Sequence, residues 1–147
     1  MAELDQVRNY WDQILNADEL PPATAFLGFK LTSIDVEKGR CDAQFRLPDA
    51  ATNPGGSAQG GFITAILDEV MSVAGSVVQP PPAMSPTLQM TTSFIRPVPV
   101  GERLDARGQV VRKGRAAIFT EGWLWNEDGT LLAQATASCI PKSLAKP

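Results

Sequence analysis

The most chemically informative stretch of the sequence is a glycine-rich turn that leads into a long apolar segment carrying one carboxylate. The turn ends at Gly60 and Gly61, and Asp68 follows about two helical turns later among almost entirely apolar neighbours. Thr64 and Ser72 flank Asp68 at intervals of four residues, so a helix would place all three on one polar stripe. A charge inside a buried helix costs free energy unless it is paired or used. The stripe is therefore our first candidate for a catalytic site.

The start of such a helix offers a second chemical group, because its first backbone N–H groups have no intrahelical partner. At Gly60 and Gly61 these groups, with the positive end of the helix dipole, suit an oxyanion developing on a carbonyl. A carboxylate and an oxyanion hole suffice for acyl transfer to water, with Asp68 as general base or nucleophile. In the alternative interpretation, Asp68 only caps or pairs with a group in a polar seam. The two glycines and the hydroxyl stripe favour catalysis.

The spacing of these groups sets a geometric condition. Eight residues of helix span about 12 Å, so Gly60 and Asp68 of one chain cannot both touch the same carbonyl. They could act together only if two copies of the helix ran antiparallel across an interface between two chains. The catalytic hypothesis therefore predicts a homodimer, or a dimer of dimers, with shared sites. Glu69 leaves the polar stripe by about 100°, and we expect it to face solvent or a partner chain.

The composition excludes several other chemistries. The 147 residues contain no histidine, which rules out Ser-His-Asp, Cys-His and His–Asp mechanisms and removes the commonest ligand of catalytic zinc. Proton transfer must then come from carboxylates, hydroxyls or amides. Cys41 and Cys139 lie in separate alternating segments and are predicted to be reduced and structural. We expect neither a metal nor a cofactor.

Charge and hydropathy limit the partners. Thirteen basic and sixteen acidic residues give a net charge of −3, which argues against nucleic-acid binding. No apolar run reaches the roughly 20 residues of a membrane span, and Met1–Asp5 lacks the basic-then-apolar layout of a signal peptide. These features predict a soluble, cytoplasmic protein of one domain, without a membrane or nucleic-acid partner.

Periodicity predicts the elements that must position the candidate site. Apolar residues at helical spacing predict an amphipathic helix over residues 3–17, which Pro21-Pro22 closes and which packs as a lid against a sheet edge. Alternating apolar residues predict a hairpin between residues 25 and 47. After a break at the prolines of residues 80–82, the same alternation predicts four more strands, over residues 87–95, 104–111, 116–125 and 131–140.

The order of these elements predicts an α+β fold. Short connections make the last three strands an antiparallel meander. A single long apolar helix among six strands favours a curved six-stranded antiparallel sheet wrapped around a central helix, with an extra N-terminal helix. We divide the chain into an N-terminal helix and proline linker over 1–22, a main domain over 23–141, and a tail over 142–147.

The motifs of the central part resemble those of the hotdog-fold thioesterases, in particular the phenylacetate-pathway and 4-hydroxybenzoyl-CoA thioesterase group. Asn53, Gln59-Gly60-Gly61 and Asp68 stand at intervals that match the group's asparagine, His-Gly-Gly and acid-bearing helix. Phe94-Ile95-Arg96-Pro97 and residues 110–115 look like its later strands and basic turn. The resemblance covers roughly residues 25–141. It implies a hotdog fold, a dimer or tetramer, and hydrolysis of acyl-CoA thioesters.

The resemblance also implies roles for individual residues. Asp68 would be the base or nucleophile, and the Gly60 N–H of the opposite subunit would be the oxyanion donor. Asn53 would help to place the nucleophilic water or the carboxylate. Ser72 would assist the water, and Thr87 would lie near the thioester.

One position departs from the pattern, because Gln59 stands where the group has histidine. Glutamine donates and accepts hydrogen bonds but cannot carry a proton near neutral pH. Orientation of the thioester by Gln59 and Gly61 could survive this change, whereas a proton-shuttling role could not. A hotdog module that binds or senses acyl-CoA without hydrolysing it is therefore the alternative function, and a purely structural assembly role is a third.

Basic residues cluster at a predicted turn, where Arg112, Lys113 and Arg115 surround Gly114. A solvated hairpin turn is one explanation of such a cluster. In the group that the sequence resembles, this turn lies near the CoA phosphates, for which arginine and lysine are suited. We therefore include the cluster among the substrate-binding candidates, together with Arg96.

Overall fold

The structure, a computed structural model, describes residues 1–15 and 17–147 of the chain. Within this part lie three α-helices and one short 3-10 helix. They are α1 (Ala2–Leu15), α2 (Pro22–Phe26), the 3-10 helix (Asp49–Ala51) and α3 (Gly60–Val77). The N-terminal helix predicted over residues 3–17 is confirmed as far as residue 15, and residue 16 lies outside the described part.

Eight strands are described, and six of them form one antiparallel sheet in the order β1-β2-β5-β6-β7-β4. The other two, β3 and β8, pair with each other. The α+β fold and the meander of the last three long strands are therefore confirmed. The strands are β1 (Lys30–Asp35), β2 (Arg40–Phe45), β3 (Ala83–Met84), β4 (Thr87–Phe94), β5 (Leu104–Lys113), β6 (Ile118–Asn126), β7 (Leu131–Cys139) and β8 (Lys142–Ser143).

Helix α3 packs across one face of the sheet and contacts five of its six strands. The apolar residues of its core-facing side, such as Ile66 and Val70, are fully buried. Two strand glycines allow the helix to approach closely. A Cβ atom at Gly108 would lie 2.0 Å from the carbonyl oxygen of Val70, and one at Gly122 would lie 3.0 Å from Cγ of Met71. A strand glycine often marks such a close backbone approach.

The length of α3 corrects one expectation. Its 18 residues have a mean hydropathy of 1.3, so by length and composition alone it could cross a membrane, whereas we had expected no apolar run of that length. Half of these residues are buried inside the protein. The sheet covers the apolar side of α3, as in the core helix of a globular domain.

Two terminal segments also differ from the expectation. Pro22, which we expected to belong to a linker after the first helix, instead begins α2, where a proline at the first helical position is well tolerated. Residues 142–147, which we expected to be a tail, begin with β8, which pairs Lys142 with Met84. Helix α1 packs beside β1, an edge strand of the sheet, and buries Val7 and Trp11 in the core.

Candidate active site

Asp68 lies half-buried on α3, with its carboxylate facing the first residue of β4. The hydroxyl of Thr87 donates a hydrogen bond of 2.5 Å to Oδ1 of Asp68. One helical turn earlier, the hydroxyl of Thr64 donates to the hydroxyl of Thr92 over 3.4 Å. The predicted polar stripe therefore exists and faces β4, an edge strand. Among the residues that the structure describes, Oδ2 of Asp68 accepts no hydrogen bond, which leaves it available to water or substrate.

Ser72 continues the stripe one turn after Asp68. Its hydroxyl donates to the carbonyl oxygen of Ser85 over 3.1 Å, just before β4 begins. The fully buried Ser85 also lies within hydrogen-bond distance of Ser76, at 3.4 Å. The proton of Ser72 is thus used to hold the segment that leads into β4. Its oxygen remains able to accept a hydrogen bond.

The start of α3 presents two unused donors. In the described part of the chain, neither the Gly60 N–H nor the Gly61 N–H donates a hydrogen bond. A Cβ atom on Gly60 would lie 3.3 Å from the ring of Phe94, whereas one on Gly61 would meet nothing within 4 Å. Gln59 occupies the N-cap position with an extended backbone, and its exposed side chain makes no capping hydrogen bond. The side chain of Gln59 is therefore free to contact a ligand at the helix start.

A cavity of about 320 Å³ opens beside the start of α3. It brings together three predicted site residues, Asn53, Gly60 and Arg96, but not Asp68. The guanidinium of Arg96 donates to the carbonyl of Leu131 over 2.6 Å at the rim. Most of the lining is apolar, and the full set is Asn53, Ser57, Ala58, Gly60, Ile63, Phe94, Ile95, Arg96, Pro97 and Val98.

Both the oxygen and the nitrogen of the Asn53 side-chain amide form hydrogen bonds within the loop that leads to α3. Its Oδ1 accepts hydrogen bonds from the N–H groups of Gly55 at 2.9 Å and Ser57 at 3.2 Å. Its Nδ2 donates to Oγ of Ser57 and to the carbonyl of Ala58. Asparagine often organises turns in this way. Within one chain, Asn53 therefore shapes the loop that presents Gly60 and makes no hydrogen bond to Asp68.

The basic cluster divides into two parts. Nζ of Lys113 donates to the carbonyl of Val78, directly after the end of α3. A cation at this position satisfies an unpaired carbonyl and interacts favourably with the negative end of the helix dipole. Gly114 closes the turn through a 2.8 Å hydrogen bond from its N–H to the carbonyl of Ala117. Arg112 and Arg115 are exposed and, among the described residues, form no hydrogen bond or ion pair. Only the two arginines remain free for an anionic ligand.

Strand pairing relates the basic turn to the Asp68–Thr87 pair. Thr87 lies opposite Cys139, Cys139 opposite Ile118, and Ile118 opposite Lys113. Neighbouring strands are about 4.8 Å apart, so Lys113 lies roughly 14 Å from Thr87 along this row. Gly60 is the first residue of α3 and lies about 26 Å from Val77, the last residue of that helix. The acid and the basic turn thus share one end of the sheet.

Glu69 makes a contact that the sequence did not indicate. The hydroxyl of Thr24, a buried residue of α2, donates to Oε1 of Glu69 over 3.1 Å. Burial raises the pKa of the Glu69 carboxyl, the hydrogen bond from Thr24 offsets part of that rise, and the neighbouring charge of Asp68 adds to it. Glu69 therefore packs against α2, and the expectation that it faces only solvent or a partner chain is wrong. The sequence separation of 45 positions between Thr24 and Glu69 explains why no local pattern revealed the pair.

Comparison with known proteins identifies the class. Residues 55–133 match the thioesterase superfamily, and the chain belongs to this superfamily. A crystal structure from Ralstonia eutropha JMP134, of a candidate thioesterase related to phenylacetic acid degradation, is 34% identical with a TM-score of 0.80. The match covers 90% of this chain and 99% of the other. The resemblance to phenylacetate-pathway thioesterases and the hotdog fold predicted from the motifs are confirmed.

More distant structures share the fold alone. The PaaI protein from the phenylacetic acid degradation operon of Escherichia coli has a TM-score of 0.80 at 18% identity, over 94% of this chain and 99% of its own. A Streptococcus mutans UA159 protein bound to acetyl-CoA has a TM-score of 0.75 at 22% identity, over 88% and 98% respectively. None of the curated proteins compared with the chain matches it.

Proposed function

We propose that the protein hydrolyses acyl-CoA thioesters to a free acid and CoA. The observation that carries this proposal is the carboxylate of Asp68, which Thr87 holds by Oδ1 while Oδ2 accepts no hydrogen bond from the described residues. Membership of the thioesterase superfamily supports the reaction type. The acetyl-CoA bound to the Streptococcus mutans structure supports CoA as the carrier.

The free oxygen of Asp68 can act in two ways. As a general base it removes a proton from water while the water oxygen attacks the thioester carbon. As a nucleophile it attacks the carbon itself, and water then hydrolyses the resulting anhydride. In both routes the carbonyl oxygen becomes an oxyanion, the C–S bond breaks, and CoA leaves as the thiol after protonation. Gln59 cannot carry this proton. In the general-base route Asp68 returns to the sulfur the proton that it took from water. In the nucleophilic route CoA leaves as a thiolate, which takes up the proton released when water hydrolyses the anhydride.

The oxyanion donor in this mechanism is the Gly60 N–H of a second copy of the chain. Gly60 and Asp68 of one helix are about 12 Å apart, which is too far for both to touch one carbonyl. Two features support an antiparallel pair of α3 helices. The stripe of Asp68 faces the edge strand β4, whose outer backbone groups can pair with another strand. Gly61 and Ala65 are small residues on the partly exposed side of α3, which leaves room for a second helix to approach.

The free arginines fit the phosphates of CoA. The pantetheine arm separates these phosphates from the thioester, so their site must lie well away from Asp68. Arg112 and Arg115 flank Lys113, which lies roughly 14 Å from Thr87 along the strand row. In the proposed complex, Gln59 and Gly61 orient the thioester, and Arg96 borders the cavity at Gly60.

The alternative is a module that binds acyl-CoA without hydrolysing it, and the replacement of histidine by Gln59 favours it. The two functions make different predictions for a panel of short, medium and aryl acyl-CoAs. Hydrolysis releases a free thiol that a thiol reagent detects, whereas the binding module gives saturable binding without thiol release. Tight binding of the panel with no thiol release would replace our proposal by the alternative.

The decisive variant is Asp68→Asn, which keeps the shape of the side chain and one oxygen for the Thr87 hydroxyl but removes the base. We expect kcat to fall by at least about a hundredfold, with an unchanged circular dichroism spectrum. Asp128→Asn, the same substitution in the exposed β6–β7 turn, is the matched control and should keep full activity. Full activity in Asp68→Asn would remove the role that we assign to this residue.

A further inference from the structure

Buried polar side chains fasten the segment before β4 to the last turns of α3. Ser85 has no exposed surface, and Gln79 is only 6% exposed. Nε2 of Gln79 donates to Oγ of Ser85 over 2.8 Å. From α3 itself, the hydroxyl of Ser72 donates to the carbonyl oxygen of Ser85 over 3.1 Å. Ser85 is therefore held through both its side chain and its backbone.

Further acceptors hold the amide of Gln79 against the end of α3. Its Nε2 lies 3.0 Å from the carbonyl oxygen of Gly75 and 3.3 Å from that of Met84. The backbone N–H of Gln79 donates to Ser76, so Nε2 supplies the donor that the Gly75 carbonyl lacks at the helix end. The missing side chain of Gly75 also makes room, since a Cβ atom there would lie 2.9 Å from Oγ of Ser85. The amide and the hydroxyl of Ser85 thus occupy one closely packed polar site.

A stiff connection joins this polar site to the candidate acid. Only Pro86 separates Ser85 from Thr87, and a proline fixes its own φ and restricts the residue before it to extended backbone. On its other side, the carbonyl of Pro86 accepts a hydrogen bond of 2.9 Å from the N–H of Ile140. A displacement of Ser85 would therefore move Thr87, whose hydroxyl donates to Oδ1 of Asp68.

We propose that Gln79 and Ser85 are positioning residues for the candidate acid: they set the place of Thr87, and Thr87 orients the carboxylate of Asp68. Neither of them forms a hydrogen bond with Asp68 itself, so each reaches it only through Thr87. A buried polar network whose members are satisfied is rigid, which suits a carboxylate that must present one oxygen to water. The effect of this network on turnover rests on the proposed thioesterase function.

The first test does not depend on activity. The NMR chemical shift of a carboxylate carbon responds to the hydrogen bonds that the carboxylate accepts, and loss of the signal in Asp68→Asn assigns it to Asp68. We expect Thr87→Val to move this signal. Gln79→Met removes the donor at nearly constant volume, and Ser85→Ala removes only the hydroxyl; both should move the signal in the same direction as Thr87→Val. Gln134→Met, at an exposed position of β7, is the control and should leave it in place.

Two outcomes of this measurement would overturn the proposal. In the first, the Asp68 signal moves in Thr87→Val but stays in place in Gln79→Met and Ser85→Ala. In the second, the signal stays in place in Thr87→Val as well, because the link through Thr87 would then be missing. Ser85→Ala keeps the test decisive if Gln79→Met does not fold.

The second test measures kcat in a double-mutant cycle. Gln79→Met alone should lower kcat about two- to tenfold with KM nearly unchanged, as loss of one hydrogen bond implies. If Gln79 acts through Thr87, the same substitution made in Thr87→Val should lower kcat no further. A general structural role would instead lower kcat by the same factor in both backgrounds.

Equal kcat in wild type and Gln79→Met, or equal factors in the two backgrounds, would refute the positioning role. A wild type inactive on the whole acyl-CoA panel would refute only the thioesterase proposal, because the carboxylate signal of Asp68 still decides whether Gln79 and Ser85 position it.

Discussion

Thr24 of the short helix α2 donates a hydrogen bond to Glu69, the residue that directly follows Asp68 on α3. The contact joins the N-terminal part of the chain to the central helix beside the candidate acid. Two carboxylates thus leave α3 in different directions: Asp68 towards β4, and Glu69 towards α2. Their surroundings differ, because Glu69 is held by a single neutral hydroxyl in a partly desolvated position.

The raised pKa of Glu69 predicts a pH-dependent stability. Below its ordinary value of 4.5, the carboxyl is protonated in both folded and unfolded chains. As pH rises above that value, the unfolded chain releases the proton first, so the folded state loses stability until the pH passes the folded pKa. Glu69→Gln keeps an oxygen for Thr24 and cannot ionise. We therefore expect the variant to gain stability relative to wild type as pH rises from about 4 to 7.

Urea denaturation at several pH values across this range checks that expectation. Glu102→Gln, at an exposed position between β4 and β5, is the control and should follow the wild-type curve. If the free energies of unfolding of wild type and Glu69→Gln changed in parallel with pH, burial would not disfavour the charged form of Glu69.

The two strand glycines beneath α3 predict very different costs for the same substitution. In Gly108→Ala the new Cβ would meet the backbone of Val70 at 2.0 Å, and backbone cannot move without displacing the helix. In Gly122→Ala it would meet the flexible side chain of Met71 at 3.0 Å, which can change rotamer. We expect Gly122→Ala to lower the free energy of unfolding by about 1 kcal/mol and Gly108→Ala by about 3 kcal/mol or more. Equal costs in chemical denaturation would contradict the close approach of α3 at Gly108.

Within the basic turn, we expect a division between binding and stability. Arg112→Ala and Arg115→Ala should raise KM for acyl-CoA several-fold and weaken its dependence on salt, because exposed charges act through screened attraction. Lys113→Ala should instead lower the free energy of unfolding by roughly 0.3–1 kcal/mol, because it leaves the Val78 carbonyl without its cation.

Steady-state kinetics at two ionic strengths and thermal unfolding together separate these effects. Lys30→Ala, an exposed lysine of β1, is the control for loss of a positive charge and should leave KM unchanged. A KM increase in Lys113→Ala equal to that of the arginine variants would make Lys113 a phosphate ligand as well.

Local sequence patterns were sufficient to predict much of the fold and the polar stripe that contains Asp68. The alternation of apolar residues located the six long strands, and the four-residue spacing around Asp68 located the stripe. Contacts across the sheet were beyond such patterns, because they depend on register. Neither the pairing of Thr87 with Cys139 nor the bond from Lys113 to Val78 leaves a trace in the neighbouring sequence. Asn53 shows the opposite case, since its side-chain amide forms hydrogen bonds with residues only two to five positions further along the chain.

The shared site is the most demanding prediction, and a mixture of two inactive chains tests it. Asp68→Asn removes the base. Gly60→Pro removes the proposed oxyanion donor while keeping a residue that suits the first position of a helix. If the acid and the donor act within one chain, every site in a mixed dimer lacks one of them. If they come from opposite chains, each mixed dimer has one site with both groups intact and one site with neither.

We therefore expect each variant alone to be nearly inactive and their equimolar mixture, unfolded and refolded together, to recover about a quarter of the wild-type activity. Half of the randomly assembled dimers are mixed, and one of the two sites in each is complete. Mixing the folded proteins without refolding is the control for exchange of subunits. Co-purification of two differently tagged chains confirms that mixed dimers formed. An antiparallel pair of α3 helices must bring the intact Gly60 of one chain to the intact Asp68 of the other. Mixed dimers without activity would therefore show that Gly60 and Asp68 do not act together in one shared site.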